Sequence, residues 1–158
     1  MSYDIAIQID VPASPELVYA ALTTTDGVAG WWTTRNETTG TPGSVDRFWF
    51  PGMPMAWEMR VDTAEPGKLL GWHCVGGPPA WPGTDVRWSL EPADGGTRLL
   101  FDHTGFPAKD EMLRTVTLGW AQMLLRLADY ARTGTPTRVG ATWSSCTLWP
   151  TVVSPGAS

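Results

Sequence analysis

The chain has 158 residues, of which 42% are hydrophobic and 17% are charged, a composition typical of one globular domain with a hydrophobic core. The net charge is −5 and the pI is about 4.8, and no cluster of Lys and Arg is present, which argues against nucleic acid as a partner. No apolar run approaches the roughly 20 residues of a membrane span. The start "MSYDIAIQID" lacks the pattern of a signal peptide, so we expect a cytoplasmic protein.

The two cysteines, Cys74 and Cys146, form no metal-binding or redox motif, and neither has a His at ligand spacing. Free thiols in a reducing compartment are therefore expected. The sequence predicts no metal site and no cofactor.

The chain begins with a strand and two short helices. Residues 3–11 alternate between apolar and polar side chains, which is the period of a half-buried strand. In "ASPELVYAALTTTDG" the period becomes helical, Ser14 is suited to cap the helix and Pro15 suits its first position. The Thr run and the "DG" pair end this helix, and "DGVAGWWTT" predicts a second one that carries Trp31 and Trp32.

The middle of the chain predicts five strands separated by turns rich in Gly and Pro. Short connections of this kind make consecutive strands antiparallel neighbours. A segment too rich in Pro and Gly for a strand, residues 76–83, is predicted to be a loop. The five strands are predicted at 44–50, 55–62, 69–75, 84–91 and 97–103.

A long helix follows, from about residue 108 to 132, where apolar residues recur at steps of four and three and form one stripe. Gly134 and Pro136 end it. The stripe contains Met112, Val116, Trp120, Met123, Leu127 and Tyr130.

These elements predict an α+β fold in which a curved antiparallel sheet of about six strands wraps on the long C-terminal helix. Residues 1–133 would form this single domain. Residues 134–158 have no clear period and are predicted to be a poorly ordered or loosely docked tail. Its Trp143 and Trp149 leave open whether the tail covers a homodimer surface.

Three segments, "PASPELVYAALTTTDGVAGWW", "GGTRLLFDHTGF" and "GWAQMLLRLADYA", form a fairly specific combination at this spacing. They resemble the helix-grip fold of the START and birch-pollen-allergen (SRPBCC) superfamily, and more narrowly the bacterial heat-shock-protein ATPase activator homologues. The resemblance covers roughly residues 1–133 and implies a hydrophobic cavity beneath the long helix. It does not imply one reaction, because members bind lipids, act as cyclases or hydrolases, or have no known role. The loop at 76–83 and the chain beyond 134 depart from the family pattern.

His103 is the best candidate for a catalytic residue. It shares a strand face with Leu99 and Phe101, so an inward Phe101 places His103 at one end of the cavity. There it could act as a general base or donate a hydrogen bond to a ligand. The structural interpretation is that it bonds the start of the long helix or a neighbouring Trp N–H, and this is preferred because no orienting partner is visible.

The ten Trp residues are interpreted either as a packed aromatic core or as the lining of a cavity for a flat or hydrophobic ligand. The predicted ligand-binding residues are Trp31, Trp32, Trp49, Trp57, Trp72, Trp88, Phe101, His103, Val116, Trp120 and Met123.

Three functions follow from these observations. The first is a binding protein for a hydrophobic or aromatic small molecule. The second is an enzyme of the cyclase or hydrolase kind that uses His103, with Asp102 or Glu58, as acid or base. The third, taken from the resemblance, is a protein that interacts with a chaperone.

Overall fold

A computed structural model describes residues 2–136 and confirms the α+β helix-grip arrangement. One curved antiparallel sheet has the strand order β1-β7-β6-β5-β4-β3-β2. The strands are β1 (Tyr3–Val11), β2 (Arg35–Glu37), β3 (Val45–Trp49), β4 (Trp57–Glu65), β5 (Leu69–Gly76), β6 (Asp85–Ala93) and β7 (Gly96–Phe106), and the helices are α1 (Pro15–Thr23), α2 (Thr25–Trp31) and α3 (Glu111–Thr133). The predicted tail lies outside the described residues, apart from 134–136.

Two strand predictions need correction. The described residues contain seven strands rather than about six, because the three-residue β2 is too short to show an alternating pattern. The last strand does not stop at His103 but runs on to Phe106. Gly105, at φ +98°, supplies a conformation that other residues rarely adopt, and the pairing register with β1 shifts there.

The helix ends follow the predicted signals. The Ser14 hydroxyl accepts a hydrogen bond from the Leu17 N–H at 3.2 Å, which satisfies one of the unpaired donors of the first turn of α1. Asp110 caps α3 in the same way through the Leu113 N–H at 3.1 Å. Gly134 ends α3 in the left-handed conformation, and its N–H donates to the Tyr130 carbonyl.

The core lies between the inner face of the sheet and α3, which packs against β1, α1 and α2. From the predicted stripe, Val116, Trp120, Met123 and Leu127 are buried. Gly30 of α2 lies directly against the ring of Tyr130, and a side chain at that position would overlap the ring. Within residues 2–136, no helix has the length and apolar character that crossing a membrane requires.

Candidate ligand site between the sheet and the long helix

The interior of the fold is an aromatic cluster centred on Trp120 of α3. Strand alternation turns Trp57, Trp72 and Trp88 toward this side chain, and α2 adds Trp31 and Trp32. Of the eleven predicted ligand-binding residues, ten are no more than 2% exposed. The ring centroid of Trp120 lies 4.6 Å from that of Phe101, 5.3 Å from that of Trp32 and 5.7 Å from that of Trp88.

Three of the indole planes are almost parallel. Trp31 and Trp32 lie at an interplanar angle of 11° with centroids 5.5 Å apart, and Trp32 and Trp72 lie at 9° with centroids 6.1 Å apart. Offset stacking is a favoured arrangement of aromatic rings. Parallel faces of this kind suit a flat aromatic molecule.

Trp49 is the exception among the eleven. The predicted inward position is wrong, because Phe48 takes it and is fully buried. Trp49 is only half-buried, and the Arg35 guanidinium lies 4.8 Å from its ring centroid. Neighbouring residues of a strand point to opposite faces, so Phe48 and Trp49 cannot both line the interior.

His103 is fully buried, and both of its ring nitrogens have hydrogen-bond partners. The Trp120 Nε1–H donates to His103 Nδ1 at 3.0 Å. On the other side, His103 Nε2 lies 2.8 Å from the Thr84 hydroxyl oxygen, and that hydroxyl donates to the Trp81 carbonyl at 2.6 Å. The Thr84 hydroxyl has a single proton, which it donates to the Trp81 carbonyl, so its oxygen accepts from the Nε2–H of His103. His103 is therefore the neutral tautomer with its proton on Nε2.

This environment limits what His103 can do chemically. Burial lowers its pKa to about 3, because the charged imidazolium would lose its hydration. The lone pair that a general base needs already accepts from Trp120. The hydrogen bond from Trp120 thus ties β7 to the middle of α3, and this matches the structural interpretation in which His103 bonds a Trp N–H.

The two carboxylates considered as partners of His103 lie elsewhere. Asp102 points to the opposite face of β7, where it pairs in register with Arg87. Glu58 is on the outer face of β4 and accepts from the Arg47 Nε at 2.9 Å. Neither carboxylate is placed to orient the imidazole.

Trp81 is an interior residue that the sequence analysis missed. It comes from the loop at 77–83, is fully buried, and its ring lies 4.8 Å from that of His103 and 5.9 Å from that of Trp57. Ala80, the residue before it, has a φ of +80°, an uncommon conformation for a residue with a side chain. A large apolar residue inside a Pro- and Gly-rich loop was the available signal, since such a side chain is seldom left in water.

The indole N–H groups of the cluster differ in their partners. Trp31 donates to the Ala21 carbonyl at 2.8 Å. We call Trp32, Trp72 and Trp88 the indole trio: within residues 2–136 their Nε1 atoms are buried and have no hydrogen-bond partner. Trp72 links the other two members, with its ring centroid 6.1 Å from that of Trp32 and 5.6 Å from that of Trp88. Leaving a buried donor without a partner costs about 1–3 kcal/mol, so the interior holds donors that an added acceptor would satisfy.

Comparisons with known proteins place this geometry in a family. Over residues 12–132 the chain matches the model of the family described as Activator of Hsp90 ATPase homolog 1-like protein. No curated protein matches it. The chain is thus a helix-grip α+β protein, and it belongs to the Activator of Hsp90 ATPase homolog 1-like family.

Solved structures agree with this assignment. The chain is 32% identical to Aha1 of Colwellia psychrerythraea, a dimer in solution, with a TM-score of 0.77 over 84% of this chain and 98% of that one. It is 28% identical to DynU16, a putative protein in the dynemicin biosynthetic locus, with a TM-score of 0.71 over 85% of this chain and 49% of that one. The protein MLL2253 of Mesorhizobium loti, at 22% identity and a TM-score of 0.70 over 80% of this chain and 95% of that one, shares the fold.

Proposed function

We propose that the protein binds a flat, hydrophobic small molecule that carries a hydrogen-bond acceptor, in the interior between the sheet and α3. The observation that carries this proposal is the indole trio. An indole nitrogen is a donor and never an acceptor, so the group that completes these side chains must offer an acceptor atom, such as a carbonyl oxygen. The family supports a ligand-binding fold, and DynU16 is described as part of a biosynthetic locus.

The nearly parallel planes of Trp31, Trp32 and Trp72 add a preference for shape. A planar ligand can stack on such faces, whereas a flexible chain gains less from them. Binding requires the packed rings to move apart, and Met123, which is buried among them, has the flexible side chain that accommodates such changes.

The test compares two ligands that differ by one oxygen. Fluorenone has a carbonyl acceptor, and fluorene has the same ring skeleton without it. We expect fluorenone to bind about tenfold more tightly, which is the affinity change that one neutral hydrogen bond supplies. Native mass spectrometry of the purified protein would show in addition whether a small molecule with a hydrogen-bond acceptor co-purifies with it.

Matched variants locate the site. Trp72→Phe keeps a ring but removes an N–H donor, so it should reduce the difference between fluorenone and fluorene. Trp49→Phe makes the same chemical change on the outer side and should leave the difference unaltered. Equal affinities for the two ligands in the wild-type protein would overturn the acceptor requirement, and binding of neither would overturn the proposed function.

A homodimer is a second part of the proposal, supported by the dimeric Aha1 of Colwellia psychrerythraea. Leu118 and Leu125 lie two helical turns apart on α3 and are 57% and 62% exposed, so they form an apolar strip that a second copy could cover. Light scattering should give twice 17.2 kDa for the wild-type protein and for Leu17→Glu, a control on α1. Leu125→Glu should give the monomer mass; a wild-type monomer would contradict this part. The chaperone hypothesis has its basis in the family description alone.

A further inference from the structure

The outer face of the sheet carries a second group of polar side chains, which the sheet itself separates from the indole trio on the inner face. We call it the outer cluster: Asp62 of β4, His73 of β5 and Asp85 of β6. His73 Nδ1 lies 2.8 Å from an Asp85 carboxylate oxygen. One ligand atom from each of the three residues lies within 4.8 Å of the other two.

The backbone brings these side chains together in two ways. His73 and Asp85 are paired directly in the register of β5 and β6. Asp62 lies at a shift in the pairing of β4 with β5, between Val61 and Thr63, and so has no strand partner of its own. Strand alternation places Asp62 on the outer face of β4, and there its carboxylate lies within 4.8 Å of the ligand atoms of His73 and Asp85.

The surroundings leave the outer cluster accessible. Gly71, next to His73 on the outer face, has no side chain, and a groove runs there between Asp62, Asp85, Arg87 and Asp102. The His73 side chain is 31% exposed and that of Asp85 is 58% exposed. A small ion can therefore reach the ligand atoms from solvent.

We propose that the outer cluster binds a divalent transition-metal ion of the zinc class. One imidazole and two carboxylates are the ligands that such ions prefer, whereas calcium and magnesium favour oxygen alone. The ion would take the place of the hydrogen bond between His73 Nδ1 and Asp85, with the imidazole proton held on Nε2, and Asp62 would complete a set of three protein ligands. The remaining coordination positions would face the groove beside Arg87.

The guanidinium of Arg60 competes with a metal ion for the carboxylate of Asp62. Its Nε donates to one Asp62 oxygen at 2.7 Å and its Nη2 to the other at 3.3 Å. An arriving cation must share Asp62 with the guanidinium or displace it. Removing Arg60 should therefore strengthen metal binding, and a His residue that binds metal on its own would show no such response.

The test follows the imidazole NMR signals of the full chain, prepared without a histidine tag, as Zn²⁺ is added. The chain contains only two His residues; the signals of His73 should shift, and those of the buried His103 should not. Asp62→Asn should weaken the affinity about tenfold or more, and Arg60→Gln should strengthen it about threefold. Asp10→Asn removes an exposed carboxylate from the outer face of β1, where Asp10 pairs with Arg98 outside the groove, and should leave the affinity unchanged.

Two results would overturn the proposal. One is the absence of any His73 shift at millimolar Zn²⁺. The other is wild-type affinity in Asp62→Asn, which would mean that His73 binds the ion without the carboxylate set. Either result leaves the proposed interior site untouched, since no residue is shared between the two.

Discussion

Replacing His103 should remove a specific part of the pH dependence of stability. The folded protein holds His103 neutral because burial lowers its pKa to about 3, whereas the unfolded chain takes up a proton near the ordinary value of about 6.5. The unfolded state thus binds more protons between these two values. The stability contributed by the neutral imidazole is fully present above the unfolded pKa and is lost as the pH falls toward the folded pKa.

The size of this effect follows from linkage. Between about pH 7 and pH 5, protonation of His103 in the unfolded state alone lowers the free energy of unfolding by about 2 kcal/mol. Both pH values lie well above the folded pKa of His103, so the calculated loss of about 2 kcal/mol depends little on the exact value of that pKa. Asp46, whose pKa is raised by burial, shifts stability in the opposite sense, but it does so equally in the wild-type protein and the variant.

Urea unfolding at the two pH values measures the difference. The wild-type protein should lose about 2 kcal/mol more than His103→Gln on going from pH 7 to pH 5. His73→Gln retains His103, so its free energy of unfolding should fall between pH 7 and pH 5 by as much as that of the wild-type protein. Equal losses in the wild-type protein and His103→Gln would show that the folded protein protonates His103 as readily as the unfolded chain does, and the description of a neutral, doubly bonded imidazole would then be refuted.

Three further changes test the packing. Trp120→Phe removes the donor to His103 and leaves space in the cluster, so it should lower the free energy of unfolding by about 2–4 kcal/mol; a loss below 1 kcal/mol in urea titrations would contradict the role of this bond. In Cys146→Ser, native protein should resist a thiol reagent at about pH 8, because Cys74 is 1% exposed and burial raises its pKa to about 11; rapid labelling before unfolding would contradict this. Asp46→Ala should cost about 2–3 kcal/mol, because the fully buried carboxylate accepts from two backbone N–H groups, and unchanged thermal unfolding would count against it.

Local patterns were sufficient to predict most of the fold. The alternation of residues 3–11, the Ser14 cap and the stripe through Val116 and Trp120 each depend on neighbours along the chain, and the structure has the corresponding elements. The short strand β2 has no such pattern, since three residues cannot establish a period. The extension of β7 to Phe106 depends on pairing with β1 and on the left-handed Gly105, which are tertiary features.

The candidate sites were harder to predict, because they depend on contacts between strands. The alternation of side chains along β3 places Phe48 and Trp49 on opposite faces of the sheet, but alternation alone does not show which of the two side chains is buried. The buried position of Trp81 depends on the path of an irregular loop. The outer cluster combines three strands and a shift in register at Asp62, and no spacing within one segment reveals it.

The central claim is that the indole trio provides the donors of an interior ligand site, and its most direct test is the set of indole N–H signals in a ¹H–¹⁵N NMR spectrum. The chain has ten Trp residues, and single Trp→Phe variants assign their signals. Adding fluorenone should move the signals of Trp32, Trp72 or Trp88 in the direction of a new hydrogen bond, while that of Trp49, which lies outside the interior, stays in place. The claim is contradicted if no signal of the trio moves, or if that of Trp49 moves as much.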